Sequence, residues 1–396
     1  MLPRWRTAVG LFSLLVVIGL GVYQETGFAA KGVGLGSDYR IYSLAVDRAY
    51  VTRYDPYFPH SIGGYLYPPP SLLLIQGVKL GSRLLHVRDV DAFVTLSLVS
   101  AILALALLSN ALRAGHLSTY AASLGVILLA SAGSLETIHC GQINLVVLVF
   151  LALMIDAWRH RRYALASVAL AVAICLKATP IVFAILFLTR RRWKWLCATA
   201  FFVGLMFLGA MALLPPHGLT MSFLSALWWA SHQEVNNIWN NSLSIFIPSV
   251  LQGWSGGYID WKLVQSVKLV ALLSMLLVAY RVYLARQESR HAENALLVAC
   301  TFSMVFAPNI LWLHHAALLI PAFWICLTEL ESLPMRCATA LSLLLIQVLR
   351  WYQWGLGRSD SAPFAVAQLI LVLVALAYVR QAWRAGLSPA GLTGHA

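Results

Sequence analysis

The feature that leaves this chain the fewest options is a succession of apolar segments, each long enough to cross a lipid bilayer. A helix spanning roughly 30 Å of hydrocarbon needs about 20 apolar residues. Runs of this kind fall near 8–26, 68–86, 90–112, 118–135, 143–158, 163–189, 196–214, 262–282, 294–308, 315–329, 336–351 and 364–383. Inside hydrocarbon every backbone amide and carbonyl must find its partner within the protein, so these runs are helices. Only 11% of the 396 residues are charged, less than half of the roughly 25% in a water-soluble domain. The expectation is an all-α polytopic membrane protein, one integral domain over 1–396, with about 11–13 crossings. Its outer loops are 27–67, containing short helices, and 215–241.

Basic residues outnumber acidic ones, 28 to 15. They lie in short clusters between apolar runs rather than in a patch suited to nucleic acid, which makes them topology signals. Arg159-His160-Arg161-Arg162, Arg190-Arg191-Arg192-Trp193-Lys194, the stretch Arg281 to Arg290, and Arg380 with Arg384 belong on the cytoplasmic side. For the first two clusters to share a side, 163–189 must be a hairpin or re-entrant pair broken at Lys177-Ala178-Thr179-Pro180, where proline removes a helical donor. Segment 68–112 resists this bookkeeping. Arg83, Arg88 and Arg113 all resemble cytoplasmic residues, yet one full span lies between them, so one helix there does not cross completely. Arg4 and Arg6 before the first run, with Phe28-Ala29-Ala30 after it, loosely resemble a signal peptide, but the run is long enough to stay as an anchor.

The six cysteines are scattered without C-x-x-C spacing, so neither a zinc site nor a disulfide framework is expected. Candidate chemistry gathers between the spans. Asp38 follows the first run, where a carboxylate at the membrane boundary can stay ionised yet partly desolvated, which suits it to proton abstraction; the same residue also suits a helix N-cap. Asp55 before Pro56 reads as a turn residue, and Pro68-Pro69-Pro70 as the start of a helix. Tyr42 and Tyr67 can line a sugar site or simply sit at an interface. Glu136, His139, Gln142 and Asn144 lie between two spans and can hold sugar hydroxyls or satisfy helix ends. Lys177 is an ammonium in an apolar run, where a cation costs roughly 2.5 kcal/mol or more and is functional by default. His232 and Asn241 belong to a polar and aromatic cluster in the second outer loop. His314 and His315, adjacent and so pointing to different parts of a helix surface, can bind a phosphate but not one shared metal.

In this order, Asp38 and Tyr42, Tyr67-Pro68-Pro69, Gly141-Gln142-Ile143-Asn144, Lys177 with Thr179-Pro180, Arg190-Arg191-Arg192-Trp193, Asn241-Ser242-Leu243 and His314-His315 resemble glycosyltransferase family 87, polyprenol-phosphate-mannose-dependent mannosyltransferases of the GT-C fold class. The resemblance implies a hexose, typically mannose, moved from a polyprenyl-phosphate donor to a lipid or glycan acceptor at the outer face of the inner membrane. It makes Asp38 the catalytic base of an inverting transfer. Lys177, His314 and His315 become candidates for the donor phosphate, and Tyr42, Tyr67, Glu136, His139, Gln142, Asn144, His232 and Asn241 for substrate. No cofactor or metal is expected, and neither a P-loop nor a Rossmann fingerprint is present. The alternatives are a lipid-linked sugar flippase or transporter, which would spread polar residues through several spans, and an O-antigen ligase or polymerase, which would carry a much larger late outer loop than 351–363.

Overall fold

The computed structural model describes residues 36–57, 65–111, 131–188, 192–215, 218–233, 240–255, 260–286, 289–350 and 362–385. The first span, most of the loop that follows it, the body of span 118–135, Arg190 and Arg191, Trp239 and most of 351–363 lie outside them. Among the described residues all regular structure is helical, as a bilayer requires, and the chain is an all-α polytopic membrane protein. Among the described residues four helices are individually long and apolar enough to cross: Asp89–Ala111, Trp193–Leu213, Trp261–Ala285 and Ala362–Arg384. Other described apolar runs form shorter helices, several of them broken or started at Pro180, Pro308 and Pro321.

Two compact units make up the chain, residues 1–237 with 313–318, and 238–312 with 319–396. In the first, α1 (Ser37–Asp47) continues as a π-helical turn to Thr52. Then come α2 (Pro69–Leu84), α3 (Asp89–Ala111), α4 (Ala132–Cys140), α5 (Asn144–Arg159) and α6 (Tyr163–Leu176). A 3-10 helix (Thr179–Phe187), α7 (Trp193–Leu213) and α8 (Leu219–Gln233) complete the run. A second 3-10 helix, Leu313–Leu319, brings its first six residues to this unit.

The reversal demanded by the basic clusters is present. Helix α5 carries the chain from Asn144 to Arg159, and α6 returns it to Leu176, where Lys177 Nζ donates to Asn144 Oδ1 at 2.8 Å. The 3-10 helix then leads away again. Its nine residues, at about 2.0 Å each, cover about 18 Å, close to the roughly 21 Å of α6. Phe187 accordingly finishes 5.1 Å from the ring of Trp158, and the Arg192 guanidinium stacks over Trp158 at 4.6 Å and Tyr163 at 4.9 Å. Arg192 therefore lies at the end of the unit that carries Arg159 to Arg162, and Lys177 at the other. Helix α3 runs parallel to α5: Val90 lies against Gly36 at the start of α1, and Asn110 Nδ2 donates to Asp156 Oδ1 at 2.6 Å near the basic end.

This settles the conflict in 68–112. Pro68 is the N-cap of α2, with Pro69 and Pro70 in its first turn, where an amide proton is dispensable. Lys79 Nζ reaches back to Asp47 Oδ1 at 2.7 Å and Ser43 Oγ at 2.9 Å, and the next turn leads to Asp89, which accepts from Ser43 Oγ at 3.2 Å. The second half of α2 and the start of α3 are thus tied to the helix carrying Asp38, and α2, at 16 residues, is not among the described helices long and apolar enough to cross. Arg83 and Arg88 correct the sequence expectation, since they do not join the basic clusters. Arg88 instead pairs with Asp91 through two hydrogen bonds of 2.7 and 2.8 Å at the start of α3.

The second unit contains α9 (Leu243–Ser255), α10 (Trp261–Ala285), α11 (Arg290–Phe306), α12 (Ile320–Glu329), α13 (Leu333–Arg350) and α14 (Ala362–Ala385). Ser289 caps α11 through Ala292 N, and Arg290 pairs with Glu329 at 2.5 Å. Asn294 Nδ2 donates to the Tyr378 hydroxyl at 3.2 Å, tying α11 to α14. Leucines and valines exposed along α7 and α10, among them Leu205, Leu208, Leu263 and Val267, form the surface that lipid covers.

Gly141 holds φ at +69°, and a Cβ there would meet Tyr39 Cβ at 2.7 Å and Gly36 Cα at 3.2 Å. Gly141→Ala is expected to destabilise the fold by about 2–4 kcal/mol, combining left-handed strain with overpacking. Gly204→Ala, on α7 with nothing within 4 Å, should be neutral or stabilising by up to about 1 kcal/mol. Thermal unfolding of both variants in the same detergent measures the contrast.

Candidate functional site

The close approach at Gly141 and Gly36 brings the start of α1 against the turn between α4 and α5. Gly36 N donates to the His139 carbonyl at 2.7 Å, and Gly36 is the N-cap of α1, with no side-chain cap. Asp38 is therefore not the capping residue. It sits in the first turn of α1 with its carboxylate accepting a hydrogen bond from Gln142 Nε2. The other end of the same amide, Gln142 Oε1, accepts from the Tyr42 hydroxyl at 2.6 Å and from the Tyr67 hydroxyl. Gln142 is buried, so its orientation is set by what each end can do. The ionised carboxylate can only accept, which turns the amide nitrogen toward it and leaves the oxygen for the two phenols to donate to.

Burial raises the Asp38 pKa above the usual carboxylate range, and the hydrogen bonds from Gln142 and Ser37 offset this in part. The same burial, reinforced by the negative charge of Asp38, keeps the Tyr42 and Tyr67 phenols protonated. They are fixed donors. Tyr42 is buried edge-on against Tyr65 and Tyr67, at ring separations of 5.9 and 5.1 Å, so it positions the amide and presents no open face. Tyr65 bonds Ser71, and Tyr57 donates to the Tyr67 carbonyl at 2.7 Å. Asp55 forms the turn expected of it, accepting from Tyr57 N at 2.9 Å.

Tyr67 joins this set to the cation. Its ring lies 5.7 Å from Lys177 Nζ, within cation–π range. Lys177 bonds Asn144 Oδ1, Asn144 Nδ2 donates to the His314 carbonyl at 3.0 Å, and Thr137 Oγ1 donates to the same carbonyl at 3.1 Å. The imidazole of His315 stands edge-on to His314 at 4.6 Å. Gly133 allows this 3-10 segment to approach α4, since a Cβ there would lie 2.6 Å from Ala317 N. Asp38, Tyr42, Tyr67, Gln142, Lys177, Asn144, His314 and His315 thus form one connected constellation at the end of the unit remote from the basic clusters.

Four candidates stand apart from its core. Glu136 and His139 are buried on α4, Glu136 accepting from Cys140 Sγ at 3.3 Å and His139 serving through its carbonyl. His232 falls in the last turn of α8, and its side chain lies outside the described residues. Asn241 belongs to the second unit, where its amide donates to the Leu311 carbonyl at 2.7 Å and its carbonyl accepts from Gln368 at 2.7 Å. A cleft of about 460 Å³ lined by Tyr39, Arg40, Ser43, Asp47, Arg88 and Asp89 opens on the side of α1 away from Asp38 and Tyr42, as helical spacing dictates. Among the described residues no three His, Cys, Asp or Glu side chains converge as a metal site would need.

Sequence reasoning passed over Lys79, which fastens α1 to α2, and Lys268, buried in α10. The signal was present for both, a lysine inside an apolar run, and was used only for Lys177.

Asp38→Asn retains an oxygen to accept from Gln142 and removes the burdened charge. Because the folded-state pKa is raised, ionising Asp38 costs stability as pH rises through that pKa, while below the ordinary carboxylate range near 3.9 the cost is absent. The variant's melting temperature is expected to exceed that of the parent at pH 7, with the gap closing toward pH 4; thermal scans across that range check it.

No curated protein matches the chain. The model of glycosyltransferase family 87 matches residues 65–308, more than half of the sequence, and the matched stretch contains Tyr67, Gln142, Asn144 and Lys177 together with the hairpin that presents the lysine. A polytopic helical chain with these residues gathered at one end, matched over that length, belongs to glycosyltransferase family 87.

Proposed function

We propose that this membrane glycosyltransferase moves a hexose, mannose in the first instance, from a polyprenyl-phosphate donor to a lipid or glycan acceptor at the outer face of the inner membrane. One observation carries the reading: a partly desolvated carboxylate and a half-buried ammonium joined through Gln142 and Tyr67. Inverting transfer from a sugar phosphate needs a base for the attacking hydroxyl and a cation for the departing phosphate.

In this mechanism Asp38 takes the proton of the acceptor hydroxyl as its oxygen attacks the anomeric carbon. The bond from that carbon to the phosphate oxygen breaks, and its electron pair leaves with polyprenyl phosphate. Lys177 faces the negative charge that develops there, held in place by Asn144, with His314 and His315 beside it. Gln142 keeps the Asp38 oxygens oriented, and the raised pKa makes Asp38 a stronger base than an exposed aspartate. The outward orientation is supported by the basic clusters at the opposite end of the first unit, which the positive-inside rule assigns to the cytoplasm. Aromatic and amide groups around Tyr67 and Asn144 suit a sugar ring.

Asp38→Asn is expected to lower transfer by about 10²–10⁴-fold, the usual worth of a positioned base, in protein that remains folded. The parental rate should fall on the acid side with a midpoint above the ordinary carboxylate range, because only ionised Asp38 accepts the proton. The assay offers purified protein polyprenyl-phosphate mannose, other polyprenyl-phosphate hexoses and a nucleotide sugar with membrane-lipid acceptors. Transfer only from the nucleotide sugar, or near-parental transfer by Asp38→Asn, contradicts the proposal.

A further inference from the structure

The second unit holds a cation that the mechanism does not use. Lys268 is buried on α10, a helix long and apolar enough to span the bilayer. Its ammonium donates to Ser242 Oγ at 2.8 Å and to the Pro308 carbonyl at 3.0 Å. That accounts for two of three protons, and among the described residues no carboxylate lies within ion-pair distance of it. Charges buried in a low-dielectric interior are ordinarily paired, since an isolated one costs several kcal/mol. In a membrane span such a residue marks a ligand or a pathway by default.

The surroundings supply further polar atoms. Ser242 and Ser244 share a hydrogen bond of 2.8 Å, both buried. Asn240 fixes the irregular backbone on both sides, accepting from Ser242 N at 3.1 Å and Leu311 N at 3.0 Å while donating to the Asn309 carbonyl at 2.9 Å. Gln265, one turn before Lys268, donates to the Ala307 carbonyl at 2.9 Å. Two breaks in helical structure, 240–242 and 307–312, are thus locked around one uncompensated positive charge. Non-helical backbone at membrane depth is tolerated where it is buried or lines a site.

The flanking residues of α10 face lipid, with Leu263, Val267, Leu269 and Val270 all exposed. Lys268 lies seven residues past the helix start at Trp261, about 10 Å along it, while Arg281 and Arg286 mark the far end. The anion within reach of such a position is carried by a lipid.

We propose that Lys268, with the Ser242 and Ser244 hydroxyls, forms a binding site for a lipid-borne phosphate, separate from the phosphate site assigned to Lys177. The ammonium contributes charge and its third proton, and the hydroxyl proton that the serine pair does not use in its mutual hydrogen bond is donated to a further phosphate oxygen. This inference stands apart from the transfer reaction and survives if that reading fails.

Native mass spectrometry of the delipidated full chain tests it, with undecaprenyl phosphate, phosphatidylglycerol and uncharged undecaprenol as probes. Lys268→Gln is expected to weaken one binding event for a phosphate-bearing lipid by about tenfold or more, corresponding to about 1.4 kcal/mol, while undecaprenol binding stays unchanged. Lys268→Arg should retain most of the affinity. Ser242→Ala, which keeps the charge, should weaken the same event at least about threefold and provides the reading if Lys268→Gln does not fold. A Lys268-dependent response to undecaprenyl phosphate names the carrier lipid as occupant, and one to phosphatidylglycerol names a bulk phospholipid; either supports the site. The event should persist in Lys177→Met. Unchanged affinity and stoichiometry for both phosphate lipids in folded Lys268→Gln or Ser242→Ala, or loss of all phosphate-lipid binding in Lys177→Met alone, overturns it.

Discussion

The amide of Gln142 is the interaction on which the first unit turns. Its oxygen is claimed by two phenols and its nitrogen by the Asp38 carboxylate, so one side chain sets the position of the acid, the tyrosines and, through Tyr67, the approach to Lys177. A buried amide of this kind is stabilising only when both ends are satisfied. That condition requires the backbones of α1 and the α4–α5 turn to approach more closely than side chains permit. Gly36 and Gly141 meet the requirement, both at positive φ and both without room for a Cβ. Here two glycines and one glutamine do what a larger polar network would otherwise have to do.

The hairpin supplies the other half. A lysine on the lipid face of a continuous transmembrane helix would find no partner for its ammonium. By ending α6 at Leu176 and restarting as a 3-10 helix at Thr179, the chain puts Lys177 at an extended residue between two segments, where its ammonium can reach Asn144. The return of the hairpin to Trp158 and Tyr163 brings Arg192 to the end that carries Arg159 to Arg162. Chemistry and topology therefore come from the same break in the chain.

Much of this was legible in the residues. Hydropathy identifies the class because hydrocarbon enforces helices, and the break at Lys177 to Pro180 follows from proline and from the two flanking basic clusters. Asp38, Gln142, Asn144 and Lys177 stand out because polar groups between apolar runs need a reason to be there. What could not be read is who bonds to whom. Asp38 served equally well as an N-cap until Gly36 was seen to occupy that position. Helix α2 reads as a span because its sequence is apolar, and only Lys79 meeting Asp47, with Asp89 meeting Ser43, shows how it packs along α1. Lys268 was averaged away inside a hydrophobic window, since a lysine in a span resembles a snorkelling one until its depth and partners are known.

If Asp38 is the base and Gln142 its tuning partner, the pH dependence of kcat/KM for sugar transfer should respond to the amide. Removing the amide's stabilising hydrogen bond in Gln142→Leu is expected to move the acid limb of the profile to still higher pH than in the parent, with the limb absent in Asp38→Asn. An acid limb unchanged by Gln142→Leu, or one that persists in Asp38→Asn, would contradict the assignment of Asp38 as the group that accepts the proton.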